Sequence, residues 1–193
     1  MKKLFFVAGI ALSLSVAAQT EKGSWMVGAN FADLNLGFGK NSTSNFSISA
    51  NPNVAYFISD NLGVGGEVNV AFLKTKGVKD AISTIGVQPL IRYYFTNDNK
   101  MGIFGQGSIG ILSSSIFGNS ETGLTFSVGA GLNYFINKNI AFEAGLKYIN
   151  VDEKVAGVIT NGFLQNNIGL NFGLQIFLPK KSVSHMKSTY RKK

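Results

Sequence analysis

The sequence predicts an all-β fold, an eight-stranded antiparallel up-and-down transmembrane β-barrel, and three observations carry that expectation. First, apolar residues alternate with small or polar ones over segments of about ten residues, the length of a tilted strand crossing a bilayer. Second, a Tyr-Phe pair leading into a polar turn occurs three times: Tyr56-Phe57-Ile58-Ser59-Asp60-Asn61, Tyr94-Phe95-Thr96-Asn97-Asp98-Asn99 and Tyr134-Phe135-Ile136-Asn137-Lys138-Asn139. Their tyrosines lie 38 and 40 residues apart, room for two strands, two turns and a longer loop. Aromatic rings beside short turns suit the boundary between hydrocarbon and water. Third, the connections fall into two classes. Asp60-Asn61, Asn97 to Lys100 and Asn137 to Asn139 are short, whereas Gly39 to Asn45, Lys74 to Ser83, Ser113 to Gly123 and Asn150 to Gly162 are longer.

Taken in order, Trp25 to Phe38 opens with Trp25, Val27, Ala29 and Phe31 on one face and changes phase near Asp33, which predicts a bulge. Phe46 to Ile58 sets Phe46, Ile48, Ala50, Pro52, Val54 and Tyr56 outward over Ser47, Ser49, Asn51, Asn53 and Ala55. Leu62 to Phe72 sets Val64, Val68, Val70 and Phe72 over Gly63, Gly65, Glu67 and Asn69. Ile85 to Phe95 places Val87, Ile91, Tyr93 and Phe95 outward and Gln88, Leu90 and Arg92 inward. Met101 to Leu112 is partly apolar on both faces. Thr125 to Phe135 alternates most cleanly, with Phe126, Val128, Ala130, Leu132 and Tyr134 over Ser127, Gly129, Gly131 and Asn133. Ile140 to Tyr148 and Leu164 to Phe177 complete the count.

A soluble sandwich also alternates, but it shows charged residues to water. Here the polar face is Gly, Asn, Ser and Gln, which suits the interior of a narrow barrel filled by its own side chains. Pro52 and Pro89 each remove a ladder donor and are expected beside bulges.

The ends have a different character. Met1-Lys2-Lys3, an apolar run from Leu4 to Ala18 and a Val16-Ala17-Ala18 exit read as a signal peptide over 1–18, cleaved before Gln19. That run is too short for a spanning helix. The barrel is expected over 19–178 and a basic, unstructured periplasmic tail over 179–193. The formal charge of +8 sits in those ends, because residues 19–178 carry ten Lys or Arg against ten Asp or Glu. No basic face remains for nucleic acid. Cysteine is absent, so the fold holds without disulfides.

With its repeated Tyr-Phe-(Ile/Thr)-(Ser/Asn)-(Asp/Lys)-Asn turns, alternating strands and the aromatic Phe177 ending the last strand, the chain resembles the small outer-membrane β-barrel family of Gram-negative bacteria, of the OmpX and OmpA-barrel type. The resemblance covers about residues 23–178. It implies residence in the outer membrane, both termini in the periplasm, a lumen carrying charged side chains, and a terminal aromatic read by the barrel-assembly machinery. One departure is that Leu178 and a fifteen-residue tail follow Phe177.

Four ionisable residues fall on inward positions: Glu67, Arg92, Glu143 and Lys147. Charges within a membrane protein face the interior and pair there, and Glu67 and Arg92, on consecutive strands, form the expected pair. Tyr56, Phe57, Tyr93, Phe95, Tyr134 and Phe135 are the expected aromatic girdle, and Phe177 the assembly signal. Enzymes among small outer-membrane barrels depend on histidine, and the only histidine, His185, lies in the tail, so no catalytic residue, cofactor or metal is expected. Gly105-Gln106-Gly107-Ser108-Ile109-Gly110 matches a dinucleotide fingerprint, but no helix pattern follows it. The functional expectation is a structural or adhesive scaffold displaying extracellular loops; the alternative is a narrow porin-like channel. The expected partners are outer-membrane lipid and lipopolysaccharide, with periplasmic chaperones and the assembly machinery during biogenesis. The protein should be a monomer.

Overall fold

The computed structural model describes residues 19–37, 45–47, 49–73, 82–97, 100–116, 119–155 and 166–180. They form one antiparallel sheet of β1 (Trp25–Gly37), β2 (Asn45–Ser47), β3 (Ser49–Ser59), β4 (Leu62–Leu73), β5 (Ile82–Asn97), β6 (Met101–Ile116), β7 (Asn119–Phe135), β8 (Ile140–Val151) and β9 (Asn166–Leu178). Both β2 and β3 pair with β1. Continuing the β1–β3 register would set Asp33 opposite residue 48, yet it pairs with Ser47, so the two segments form one stave with a one-residue offset. The wall therefore has eight staves, each joined to its sequence neighbour, and β1 pairs with β9 to close it. Closure joins the first and last staves, as a β-structure in lipid requires.

The tilt follows from the pairing. Stepping across paired residues runs Trp25, Tyr56, Val64, Ile91, Gly107, Val128, Tyr148, Ile168 and returns to β1 at Leu36, far above the start. A circuit that climbs most of a strand's length is the stagger that tilts the staves and fixes a narrow bore.

Alternation appears as burial. β3 reads buried and exposed in strict turn from Ser49 to Phe57, and β7 does so over much of its length. Val54, Val87, Ile91, Ile109, Ile111, Val128, Phe142 and Ile176 form part of an exposed apolar belt. The bulge expected near Asp33 lies slightly earlier, between Asn30 and Ala32 of β1. Pro52 stands opposite Ala29, beside that bulge. Pro89 is different: the β5–β6 register is the same at Val87↔Ile111 and Leu90↔Ser108, so no residue is inserted. The bulges of β3 and β5 sit instead at the aromatic turns, between Phe57 and Ser59 and between Tyr94 and Thr96.

The girdle needs correction at two positions. Tyr56, Tyr93, Phe95 and Tyr134 are exposed at the turn end, where the Trp25 and Tyr56 rings meet at a tilt with centroids 5.0 Å apart and Tyr93 meets Phe95 edge-on at 5.3 Å. Phe57 and Phe135 are buried inside the barrel. Successive strand residues face opposite ways, so one member of each Tyr-Phe pair enters the lumen. In the second copy the phase is inverted, with Tyr94 in and Phe95 out.

The asparagines of the motif build the turns. Asn61 has φ 66°, a left-handed conformation that Asn tolerates better than most residues. The Asn137 side chain accepts from the Asn139 and Ile140 amides at 2.8 and 2.9 Å, an Asx turn. The predicted leader (1–18), most of the tail (181–193) and parts of the longer loops lie outside the described residues.

Candidate functional site: the barrel lumen

The lumen is layered, and β8 gives the order from the short-turn end: Ala141, Glu143, Gly145, Lys147, Ile149 and Val151 on successive inward positions. The floor is apolar. Met26, Phe57, Tyr94, Phe104, Phe135 and Phe177 come from six different strands into one buried cluster. Tyr94 lies at its centre, its ring 6.0 Å from Phe57, 5.6 Å from Phe104 and 6.2 Å from Phe177. Phe177 therefore faces inward, with its ring 5.2 Å from that of Phe135.

Above the floor, Arg92 crosses the bore. Its Nη1 and Nη2 donate to the two oxygens of Glu143 at 2.7 and 3.1 Å, and its Nε donates to Gln106 Oε1 at 2.7 Å. The guanidinium carbon stands 3.9 Å from the centre of the Phe104 ring. Asn133 donates to Glu143 at 3.1 Å and accepts from the Tyr94 hydroxyl at 2.7 Å. Arg92 is 1% exposed and the Glu143 side chain 0%. Two-pronged geometry and further hydrogen bonds on both partners are what make a buried ion pair tolerable.

A second pair lies higher, where Lys147 Nζ meets Glu67 at 3.1 and 3.4 Å. Beside it the Ser108 hydroxyl donates to Gln88 at 2.7 Å and bonds Ser127 at 2.8 Å. Leu112, Val151 and Val155 form a small apolar cluster at the loop end.

All four ionisable residues singled out from the sequence thus face the lumen, but the partners are exchanged. Glu67 stands opposite Gln88 and Arg92 opposite Gly63, so the two are staggered by four residues, about 13 Å along the sheet. Arg92 bonds β8 across the bore instead. Sequence reasoning missed Tyr94 as a lumen residue, because it belongs to a motif read as girdle; its parity with Arg92 was the available signal.

The short-turn mouth carries a further feature. Residues 19–24 run across it as a strap: Asn61 N donates to Thr20 O at 2.9 Å, the Thr20 hydroxyl to Asn61 Oδ1 at 2.7 Å, and Gly23 N to Phe57 O at 2.8 Å. Gln19 reaches the β7–β8 turn, donating to Lys138 O at 3.0 Å.

Residues 4–175 match the family model described as an outer membrane protein beta-barrel domain. The chain belongs to that family. It is an outer-membrane β-barrel protein, and its fold agrees with solved structures at low identity. Neisserial surface protein A matches at TM-score 0.61 and 15% identity, over 80% of this chain and 99% of that one. OprG from Pseudomonas aeruginosa matches at TM-score 0.55 and 12% identity, over 84% and 99%. Ail, the attachment invasion locus protein of Yersinia pestis, matches at TM-score 0.51 and 16% identity, over 81% and 99%. No curated protein matches by sequence. Among the described residues of this outer-membrane barrel, no group of acids, His or Cys is placed to hold a metal ion.

Proposed function

We propose that this barrel is a non-conducting scaffold, structural or adhesive, that holds its longer loops outside the cell with both termini in the periplasm. The observation that carries the reading is the filled cross-section, in which Arg92 and Glu143 meet across the bore directly above an aromatic floor. Eight staves leave room for side chains and little else. A path for ions needs a continuous polar wall, and Phe57, Phe135 and Phe177 interrupt it at one end. The belt would be solvated by lipid, with lipopolysaccharide around the loop end, and a closed monomer needs no protein partner to cover an edge. If the assembly machinery reads Phe177, it does so before closure, since the ring is buried in the finished barrel.

Purified protein in planar bilayers should give no unit conductance, and proteoliposomes should show no solute-dependent swelling. Steady openings from the unaltered chain would establish the narrow channel instead. Because the chain has no cysteine, orientation is read by single-cysteine labelling of intact cells. Ser120→Cys at the β6–β7 tip should react with an impermeant reagent, and Asp60→Cys at a short turn should not.

A further inference from the structure

We propose that the outer wall of the barrel carries a sugar-binding patch at the loop end of β7, β8 and β9, formed by Phe126, Tyr148, Asn150 and Asn166, and that its occupant is the headgroup of a glycolipid in the surrounding leaflet. The inference rests on the reading that the loop end faces the leaflet that holds lipopolysaccharide. Phe126 pairs with Asn150 and Asn150 with Asn166, so these three side chains stand side by side on adjacent strands. Tyr148 lies one outward position nearer the belt. The Phe126 and Tyr148 rings are 6.2 Å apart at a tilt of 50° and stay 43% and 37% exposed. Asn166 Oδ1 accepts from the Tyr148 hydroxyl at 2.6 Å and from Asn150 Nδ2 at 2.8 Å.

An aromatic pair at this height marks, by itself, only where hydrocarbon ends. The amides go further. Two bonds converging on one oxygen fix Tyr148, Asn150 and Asn166 against each other, and they leave Asn166 Nδ2 to donate and Asn150 Oδ1 to accept beside the exposed rings. A sugar offers the matching combination: C–H groups that sit against the negative face of a ring, and neighbouring hydroxyls that pair with a donor and an acceptor. Phosphate is held by Arg and Lys, and here the charge is wrong for it. The patch is neutral, and from Asn150 to Asn166 the chain carries only Asp152, Glu153 and Lys154, two acids against one base. The patch is also continuous with the lipid-facing belt, because Tyr148 pairs with Val128 on one side and Ile168 on the other. A molecule with its sugar on the patch has apolar wall beneath it for acyl chains. A free glycan makes no use of that wall, so the arrangement selects a glycolipid.

The test uses the purified full chain in detergent micelles, with bound lipid read by native mass spectrometry. The probes are an acylated diglucosamine with its phosphates, the same lipid without them, phosphatidylglycerol, and the diglucosamine without acyl chains. Both acylated diglucosamines should be retained over phosphatidylglycerol, and the bare sugar should not displace them. Tyr148→Ala and Asn166→Leu should each weaken glycolipid retention by about 3- to 10-fold, the worth of one net hydrogen bond or ring contact, and leave phosphatidylglycerol unchanged. Both positions face outward, so folded gel mobility should persist, and either variant decides if the other does not fold. Tyr93→Ala, in the aromatic rim at the opposite end, should change nothing. Equal retention of phosphatidylglycerol, loss of binding with the phosphates, displacement by the bare sugar, or an equal effect of Tyr93→Ala would overturn the proposal and leave the scaffold reading standing. Ser120→Cys that stayed unreactive on intact cells would instead remove the orientation, and with it the glycolipid leaflet, whatever the micelles show.

Discussion

Removing Arg92 should be among the most damaging single changes in the lumen. In Arg92→Ala, Glu143 stays fully buried with two of its three side-chain hydrogen bonds gone, keeping only the one from Asn133. Gln106 loses its partner and the Phe104 ring its cation. Leaving one member of a buried pair unpaired typically costs about 3–5 kcal/mol, a shift of more than about a hundredfold in the folding equilibrium. Replacing both partners by apolar groups of similar length, as in Arg92→Met with Glu143→Met, should cost less than either single change, because no charge is then stranded. The assay is urea unfolding in detergent micelles, followed by tryptophan emission from Trp25 and by the mobility difference between unheated and heated protein. A double-mutant cycle should return a large coupling between residues 92 and 143 and almost none between 92 and 67. Additive effects at 92 and 143, or strong coupling of Arg92 to Glu67, would refute the pairing described here.

Three further outcomes follow from the same geometry. Asn61→Gly keeps the left-handed backbone and loses only the bond from Thr20, so it should cost less than Asn61→Ala, which also strains φ 66° by about 1–2 kcal/mol; equal midpoints would show that the turn does not depend on that conformation. Gly131→Ala would place a methyl carbon 2.6 Å from Phe104 Cζ and 2.7 Å from the Ala144 carbonyl, so it should destabilise by about 1–3 kcal/mol while Gly107→Ala, with no neighbour closer than 3.8 Å, is near neutral; the measurement is the urea midpoint. Phe177→Ala should open the floor at a cost of about 3–5 kcal/mol, whereas ending the chain after Leu178 should leave heat-modifiability and membrane insertion intact; failure of that truncation to insert would make the tail part of assembly.

The strands were legible because a membrane wall is written in local pattern. Each stave has a lipid side and a lumen side, so parity alone sorts Val54, Ile91 and Val128 outward and Asn53, Arg92 and Asn133 inward. Connection lengths then show which end carries the loops. Bulges reset the phase only at the turn ends of β3 and β5, between Phe57 and Ser59 and between Tyr94 and Thr96. The buried members themselves keep the parity of their strands, Phe57 with Asn53, Tyr94 with Arg92 and Phe135 with Asn133, so a repeated Tyr-Phe pair read as a girdle is half girdle and half floor.

Partners across the bore were not legible, and the reason is geometric. Parity says that Glu67, Arg92, Glu143 and Lys147 share the interior, but it carries no information on height. Height is set by register summed over every strand pairing that lies between two residues, and each bulge moves it by a residue. Arg92 and Glu143 lie 51 residues apart and on strands that are not neighbours, so no local pattern joins them. Their relative height is set by the three pairings between β5 and β8, which put Arg92 level along the sheet with Gln106, Gly129 and Lys147, and closure through β1–β9 bends those strands to face one another across the bore. A one-residue error in any of those three pairings would displace Arg92 relative to Glu143 by about 3.3 Å along the strand, further than the difference between an ion pair and none. The network thus depends on closure of the barrel, and in a partly assembled sheet with the seam open Arg92 and Glu143 would not yet be held opposite each other. The energy of the pair is then gained at the closing step, which ties stability of the finished barrel to the joining of its two end strands.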